Sequence, residues 1–218
     1  MELKAENHVS TYIIQSQEEE IKRISLELHE GINQNLYSLS AGIEVLQSGI
    51  EQPYLKEYAQ QLSELLNRTI QEVRLLSVEL YPNTLTTLGL NAAIKSYAKL
   101  FTTTFGVLVH VSTTGIEHIM MEQKSMAVFR SCQEALLNIA KYADVSEAVV
   151  QIEWKERSLS VEIKDAGTGF DLQDAKNQDR LMGIAAMKQR LRIAGGDCLI
   201  SSEAGKGTRV LLELPIQG

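Results

Sequence analysis

Apolar side chains in the early part of the chain recur at intervals of three or four residues, which is the spacing of one helix face. Pro53 follows the first set and is suited to the first turn of a new helix, and Pro82 ends the second set. The pattern therefore predicts a hairpin of two long helices. The two sets are Ile21, Ile24, Leu28, Ile32, Leu36, Leu39, Ile43 and Leu46, and Leu55, Tyr58, Leu62, Leu65, Leu66, Ile70, Val73, Leu76 and Leu80.

A single hairpin of this kind cannot bury both of its apolar faces, because each helix has only one neighbour. Two copies can bury them in a four-helix bundle, so the pattern predicts a homodimer. The hairpin domain is expected at residues 18–84. Residues 1–17 continue the helical spacing more weakly and are expected to form an N-terminal linker or signalling helix.

The pattern changes after Leu88, where short alternating stretches typical of β-strands are interleaved with helical stretches. This mixed order predicts an α/β sandwich over residues 85–218. Residues 165–183 are the longest stretch without a regular pattern, and loops of that length are usually functional or disordered. The predicted strands are 107–113, 148–154, 159–165, 198–203 and 208–214, and the predicted helices are 90–105, 121–143 and 183–194.

Composition narrows the class of protein. The 218 residues are 44% hydrophobic and 22% charged, which is ordinary for a globular protein and excludes wholesale disorder. No apolar run approaches the roughly 18–20 residues that a membrane span needs, and the first residues lack a signal-peptide pattern. A net charge of −7 argues against bulk nucleic-acid binding, and two distant cysteines argue against a disulfide scaffold or a zinc site. The composition therefore favours a reducing, cytoplasmic setting.

The first candidate for chemistry is His29, which lies one residue, about 100° of helix, from Leu28 of the apolar face. It should therefore reach solvent at the edge of that face. Glu30 could accept a proton from the imidazole, and Gln34, four residues further on, could position a water molecule. The same residues would also suit an ordinary solvated helix surface.

A second group, Glu134, Asn138 and Lys141, is spaced four and three residues apart and would share one face of a helix. An amide oxygen can join phosphate oxygens and waters around Mg²⁺, and a lysine can neutralise a phosphate. Taken alone, this group also fits a solvated helix surface.

Two glycine-containing turns complete the candidates. The first turn contains Asp165, Gly167 and Gly169. Its two glycines would let the backbone pass close to a ligand, and its carboxylate could accept a hydrogen bond from an exocyclic amine. Each turn alone is a weak signal, because such turns are common. The second turn, which leads into the last predicted strand, comprises Gly205, Gly207 and Thr208.

In this order, the pieces resemble a sensor histidine kinase of the NarX, DesK, DegS and LiaS type. The phosphoacceptor helix of that type carries a His-acidic-x-x-x-Gln pattern, which His29, Glu30 and Gln34 match. Residues 73–101 resemble its connector, with an L-x-P-x-x-L-x-x-L-G-L core. The rest, up to residue 216, resembles the GHKL-type (Bergerat) ATP-binding domain of the family. Residues 133–143 match its N box, 165–169 its G1 box, 183–187 part of its G2 box and 205–208 its last glycine box.

The resemblance implies a site for ATP and Mg²⁺ in the second domain. Asn138 would ligate Mg²⁺ with Glu134 supporting the metal or its water, Lys141 would face phosphate, and Asp165 would bond the adenine amine. Residues 170–182 would form a lid over the triphosphate. The residues that would complete the site are Gly167, Gly169, Gly205, Gly207 and Thr208, together with Gly183 as the hinge of the lid.

The resemblance also implies the reaction. His29 would attack the γ-phosphate in line, with Glu30 as general base, in a transfer driven by positioning and electrostatics. The phosphoryl group would then pass to an aspartate of a response regulator, and Gln34 would support dephosphorylation of that regulator by orienting a water. Kinases of this type usually carry an upstream sensor domain, often with membrane spans. The expected location is therefore the cytoplasm, or the cytoplasmic part of a longer membrane sensor.

Three positions depart from the family pattern. Glu30 stands where aspartate is usual, Tyr142 stands where histidine usually follows the N-box lysine, and Leu181 stands where the G2 box opens with glycine. They leave open a second hypothesis, a catalytically degenerate ATP-binding scaffold that dimerises and docks a response regulator. A third hypothesis is another ATPase of the same fold, such as a chaperone, a topoisomerase or an anti-sigma serine kinase. The hairpin that bears His29 argues against it, because those families lack such a hairpin.

Overall fold

The computed structural model describes residues 19–171 and 178–216, with the backbone alone at His29, Glu79 and 178–180. Within this part of the chain two compact units form, and the boundary between them falls between Asn83 and Thr84. The predicted order of a helical hairpin followed by an α/β layer is confirmed. The predicted helix over residues 1–17 lies outside the described residues.

The first unit is built from two long helices. Helix α1 runs from residue 19 to Gly49, and consists of an α-helical start, the π-helical segment Glu27–Ile32 and the α-helical segment Asn33–Gly49. Helix α2 is Pro53–Leu80, with the proline in its first turn as the sequence predicts. The predicted start of the second helix at Pro53 and its predicted end before Pro82 are therefore confirmed.

The sequence does not predict the π-helical segment. The backbone N–H of Asn33 donates to the carbonyl of Leu28, five residues earlier, so the segment holds one more residue than an α-helical turn. Apolar residues four apart, such as Leu28 and Ile32, are compatible with both kinds of helix. Hydrophobic periodicity alone therefore cannot separate them.

Small polar side chains join α1 to α2 near the ends that lie away from the hairpin loop. The hydroxyl of Ser25 lies 2.7 Å from the carbonyl oxygen of Ser77 and 3.0 Å from that of Tyr81. The Ser77 hydroxyl donates to the Ser25 carbonyl at 3.0 Å. Both serines are buried, and these bonds satisfy hydroxyls that would otherwise destabilise the hairpin.

The second unit packs helices on one face of a five-stranded sheet with the order β1-β2-β3-β5-β4. Strands β1 and β2 are parallel, and the remaining neighbours are antiparallel. A short helix, α3, lies at the boundary between the units. The elements are α3 (Asn83–Leu88), α4 (Leu90–Phe105), β1 (Leu108–Thr114), α5 (Glu122–Tyr142), β2 (Glu147–Trp154), β3 (Ser158–Asp165), α6 (Gln178–Ile193), β4 (Asp197–Ser202) and β5 (Thr208–Pro215).

The core of this unit lies between the sheet and helices α4, α5 and α6. Alternate residues of β2, β3 and β5 are buried under the helices, while their neighbours face outward. Phe129 packs edge-on against Tyr97, with 5.8 Å between the ring centroids, and Tyr97 also contacts Phe101. All three rings are almost completely buried, so this unit has a continuous apolar core of its own.

The five strands and helices α4 and α5 match their predicted positions to within one residue at each end. Helix α6 does not, because it begins at Gln178 rather than at the predicted residue 183. The predicted start follows from residues 165–183, which show no regular pattern in the sequence. In the fold, Gly183 packs tightly against Glu134 and Asn138 of α5, and this contact favours a glycine inside the helix. Helix α3 is too short to give a periodic signal and was not predicted.

None of the helices in the described ranges is long and apolar enough to cross a membrane.

Candidate functional site

A cleft opens in the second unit between α5, α6 and strands β3, β4 and β5. Its wall is mainly apolar and carries a few polar side chains, which is typical of a site for a small organic ligand. The polar lining side chains are Asn138, Tyr142, Asp165, Thr168 and Thr208. The other lining residues are Ala135, Ile139, Ala143, Ile163, Gly169, Phe170, Ile184, Met187, Ile200 and Val210.

Asp165 is the last residue of β3, and its carboxylate is held by the turn that follows. Its Oδ1 accepts a hydrogen bond from the Gly167 N–H at 2.9 Å. Thr168 then anchors the turn to the end of α5, because its N–H donates to the Ala143 carbonyl and its hydroxyl to the Tyr142 carbonyl, both at 2.9 Å. The carboxylate thus has a fixed orientation at the edge of an apolar cleft.

The two predicted glycine turns lie directly against each other. The Gly205 N–H donates to the Thr168 carbonyl at 2.7 Å. Gly169 and Gly207 have φ angles of 55° and 79°. A Cβ on either would overlap a carbonyl oxygen of the other turn, that of Glu203 or that of Asp165. Both positions require glycine, for the backbone conformation and for the space.

On α5, the predicted pair Glu134 and Asn138 does come together. The Asn138 amide nitrogen lies 3.3 Å from Glu134 Oε1, and both residues are partly buried. Gly183 of α6 lies against this pair, and a Cβ there would overlap the Glu134 carboxylate. Lys141, the third predicted member, is exposed and is not among the described residues that line the cleft.

The pair suits a Mg²⁺ ion, which prefers carboxylate and amide oxygens and keeps several waters. Among the described residues there is no cluster of three or more His, Cys, Asp or Glu side chains that could hold a metal ion. A magnesium ion here would therefore take its remaining ligands from phosphate oxygens and water. This is how Mg²⁺ usually binds beside a nucleotide.

The predicted phosphoacceptor lies in the first unit. The backbone of His29 falls within the π-helical segment Glu27–Ile32, and the position of its side chain lies outside the described part of the structure. Glu30 and Gln34 are both exposed. Single π-helical turns inside α-helices occur frequently at functional sites, so the unusual backbone coincides with the segment that the sequence singled out.

The predicted lid, residues 170–182, is only partly described. Residues 172–177 lie outside the described residues, and residues 178–182 are helical as the first turns of α6. Gly183 is therefore not at the start of the helix but inside it, packed on α5. The expectation of a continuous loop up to residue 182 is wrong for its last five residues.

Of the three departures from the family pattern, Tyr142 lines the cleft and Leu181 is half-buried on α6. Cys132, just before the Glu134 pair, is a buried thiol, and burial raises its pKa to about 12. A thiol with so high a pKa is a poor nucleophile at neutral pH. Trp154 is buried as well, and its indole N–H donates to Asn91.

Sequence reasoning missed several residues of the site. Ser202, the last residue of β4, bonds both glycine turns through its hydroxyl. Phe170 and Met187 form part of the cleft wall, although hydrophobic patterns place such residues only in a generic core. No local sequence signal marks them, because their roles arise from elements that are far apart along the chain.

Two family models match the chain in the order of its two units. Residues 20–85 match the model described as "Histidine kinase", and residues 123–218 match "Histidine kinase-, DNA gyrase B-, and HSP90-like ATPase". The chain therefore belongs to the histidine kinases, with a helical unit followed by a unit of the ATPase class that histidine kinases share with DNA gyrase B and HSP90.

The chain is also similar to one curated relative and to two solved structures. The oxygen sensor histidine kinase NreB of Staphylococcus carnosus (strain TM300) is 36% identical over 203 residues, which are 93% of this chain and 58% of NreB. The chain thus spans somewhat more than half the length of this relative.

Among solved structures, the histidine kinase domain from the Erythrobacter litoralis EL346 blue-light activated histidine kinase has a TM-score of 0.51 at 15% identity. That match covers 84% of this chain and 94% of the domain. The blue-light activated kinase itself gives 0.51 at 17% identity, covering 83% of this chain and 60% of that one. At these identities the likeness concerns the fold alone.

Proposed function

We propose that this chain is the catalytic core of a two-component sensor histidine kinase. It binds ATP and Mg²⁺ in the cleft, phosphorylates itself on His29 and passes the phosphoryl group to an aspartate of a response regulator. One observation carries the proposal furthest. Asn138, Asp165 and Thr208 are widely separated in the chain, yet all three line one cleft in a protein of this family.

The composition of the cleft supports an adenine nucleotide as the ligand. A flat base would lie against apolar walls that include Ile163, Met187 and Val210. The Asp165 carboxylate, held by Gly167, would accept a hydrogen bond from the exocyclic amine of adenine. The opposite end of the nucleotide would then extend toward Glu134 and Asn138, whose oxygens would hold Mg²⁺. The metal would supply charge neutralisation at the phosphates.

The transfer step needs positioning more than activation. Because an unperturbed imidazole is mostly neutral near pH 7, a histidine needs little activation to act as the nucleophile. One imidazole nitrogen would form a bond to the γ-phosphorus while the bond to the ADP oxygen breaks. Glu30 would take the proton that the ring gives up. Glu30 is exposed and immediately follows His29, which supports this role.

We assign the opposing activity, dephosphorylation of the regulator, to Gln34. Its amide is exposed on the same helix, a short distance along from Glu30, where it could orient a water molecule against a phosphoaspartate. The response regulator would therefore dock on α1 near the π-helical segment.

The hairpin supports a homodimer. In a single chain, four leucine side chains of the hairpin are exposed to solvent, namely Leu39, Leu46, Leu62 and Leu65. Several large apolar side chains exposed on one hairpin indicate an interface. A second copy of the hairpin would cover it in a four-helix bundle.

Incubation with Mg²⁺ and γ-labelled ATP tests the proposal, with Asp165→Asn as the variant. We expect acid-labile, alkali-stable label on the parent chain and at least about tenfold less on the variant, because the amide would lose an acceptor for the adenine amine. A fluorescent ATP analogue reports binding in parallel. Binding without label on the parent would support the degenerate scaffold instead, and stable label on serine would support an ATPase of another kind.

The role of Gln34 is tested separately with a phosphorylated receiver domain. We expect Gln34→Ala to keep autophosphorylation and to lose stimulated dephosphorylation of the receiver. Asn35→Ala is the matched control, because Asn35 is an exposed amide-bearing residue next along the same helix. Equal loss in both variants, or none in either, would contradict the assignment.

A further inference from the structure

Two turns of the cleft, one after β3 and one before β5, lie against each other, and one side chain bonds both of them. The first, residues 165–170, carries Asp165, and the second, residues 203–208, carries Thr208. Their backbones are in direct contact through the Gly205 N–H and the Thr168 carbonyl. A side chain that bonds both turns therefore adds a second link between them and helps to fix their relative position.

The Ser202 hydroxyl bonds both turns. It accepts the Phe170 N–H at 3.0 Å, which belongs to the first turn. It donates to the Gly207 carbonyl at 3.0 Å in the second turn, and it lies 3.0 Å from the hydroxyl of Thr208.

A serine hydroxyl has one proton to donate and two lone pairs that accept. If its proton goes to Gly207, its lone pairs accept from Phe170 and Thr208. Every hydrogen-bonding capacity of Ser202 is then used. The same arrangement directs the Thr208 proton toward Ser202 and fixes the rotamer of a side chain that lines the cleft.

Its position in the sheet explains why Ser202 can do this. Ser202 pairs with Thr208 as the last pair of the β4–β5 ladder, and it is half-buried. Ser201, one residue earlier, pairs with Arg209 and is exposed, because successive strand residues point to opposite faces. Ser201 therefore provides a matched control with the same side chain and a different orientation.

We infer that Ser202 is a positioning residue of the nucleotide site, which sets the turn of Asp165 relative to the turn of Thr208 without touching the reacting atoms. This inference rests on the proposed binding of ATP in the cleft. Removing the hydroxyl leaves the Phe170 N–H and the Gly207 carbonyl without this partner and frees Thr208 to rotate. The cost should fall on nucleotide binding more than on the chemical step.

The first test is isothermal titration of Mg²⁺–ADP into the full chain. We expect Ser202→Ala to raise the dissociation constant about tenfold, a factor that corresponds to about 1.4 kcal/mol. Ser201→Ala should stay within about twofold of the parent. Ser202→Thr, which keeps the hydroxyl, should recover most of the affinity. Ser202→Ala binding like the parent, or Ser202→Thr binding as weakly as Ser202→Ala, would overturn the inference.

Two further readouts separate positioning from general damage. In autophosphorylation, Ser202→Ala should raise KM for ATP about tenfold while kcat changes by less than about twofold. In a double-mutant cycle, Thr208→Val combined with Ser202→Ala should bind about as weakly as the worse single variant, because Ser202 acts partly through Thr208. A fall in kcat alone, or fully multiplicative losses, would contradict the role.

The parent chain distinguishes this inference from the function on which it rests. A parent that binds Mg²⁺–ADP while Ser202→Ala binds equally well refutes the role of Ser202 alone. A parent that binds neither ADP nor ATP refutes the proposed function and the inference together. Circular dichroism and thermal unfolding without nucleotide verify that each variant is folded, and Ser202→Thr remains a valid test if Ser202→Ala is not.

Discussion

The two units of this protein bury different kinds of side chain. In the described part of the hairpin, buried apolar residues such as Ile70 and Leu75 are accompanied by small polar ones such as Ser25 and Ser77, and many large apolar side chains stay exposed. The α/β unit buries its large apolar side chains completely, including Phe101, Phe129 and Leu136. A single α/β unit therefore has a core, whereas a single hairpin has an apolar surface that needs a partner. The difference supports the proposal that the first unit carries assembly and the second unit binds the ligand.

The largest expected effect is in the core of the α/β unit. Phe129 is 0% exposed, and Phe129→Ala should lower the free energy of unfolding by about 3–5 kcal/mol. Ile119→Ala in the same unit, where the side chain is fully exposed, should change it by less than about 0.5 kcal/mol. Urea unfolding followed by circular dichroism measures both. Equal costs at the two positions would mean that the burial described for this unit does not carry its stability.

A substitution on the exposed apolar surface of the hairpin should instead weaken the association of two chains. Leu39 is 59% exposed, and Leu39→Glu would place a charge in the bundle formed by two copies. We expect the dimer dissociation constant to rise by at least about 100-fold, close to 2.7 kcal/mol. Ser38→Glu, at the exposed neighbouring position, should have little effect. Size-exclusion chromatography coupled to light scattering measures the mass of each variant in solution. A mass of 24.3 kDa for the parent at micromolar concentration, which is that of a monomer, would contradict the dimer.

Substitutions at one glycine and one alanine of α6 test whether the second unit binds the nucleotide. Gly183→Ala should favour the helix but push the Glu134 carboxylate away, because a Cβ would overlap it. We expect Mg²⁺–ADP affinity to fall about tenfold, or about 1.4 kcal/mol. Ala186→Gly, at an exposed site of the same helix, should cost up to about 1 kcal/mol of stability and leave affinity unchanged. The same direction of change in affinity for both variants would contradict the role of Gly183.

The smallest expected effect is on the pH dependence of stability. Burial tends to raise the pKa of Glu162, but hydrogen bonds from Lys164 and Arg209 outweigh it and hold the pKa below its usual range. A carboxyl with a lower pKa in the folded state stabilises the fold above its unfolded pKa, and this contribution is lost as the pH falls through the folded pKa.

Between about pH 5 and 3, the parent should therefore lose more stability than Glu162→Gln, by less than about 1 kcal/mol. The comparison is with Glu20 in the hairpin, where Arg23 also lowers the pKa but the pair is exposed to solvent. Glu20→Gln should leave the pH dependence of unfolding unchanged. An effect at Glu20 as large as at Glu162 would show that burial does not distinguish the two ion pairs.

The sequence predicts the helices of the hairpin and the strands of the sheet well, because local hydrophobic periodicity marks both. Pro53 and Pro82 also mark the start and the end of the second helix. It also predicts the pairing of Glu134 with Asn138, since residues four apart on a helix are neighbours. The π-helical turn at His29 escapes prediction because apolar spacing tolerates an inserted residue. The early start of α6 escapes because the reason for a glycine at 183 is packing against another helix.

Ser202 shows where sequence reasoning ends. Nothing in its neighbourhood distinguishes it from Ser201, and its contacts appear only when the turns at residues 165–170 and 203–208 are brought together. Lys141 shows the converse case. Its spacing predicts a place on the face of Asn138, but Lys141 is exposed and is not among the described residues that line the cleft.

The most direct test of the account is to locate the phosphoryl group. The parent, His29→Gln and His110→Gln would be incubated with Mg²⁺ and γ-labelled ATP. His110 is the control because it is an exposed histidine on the sheet of the second unit. The account predicts acid-labile label on the parent and on His110→Gln, and none on His29→Gln. Label that persists in His29→Gln, or that is lost in His110→Gln, would contradict the claim that the hairpin carries the phosphoacceptor.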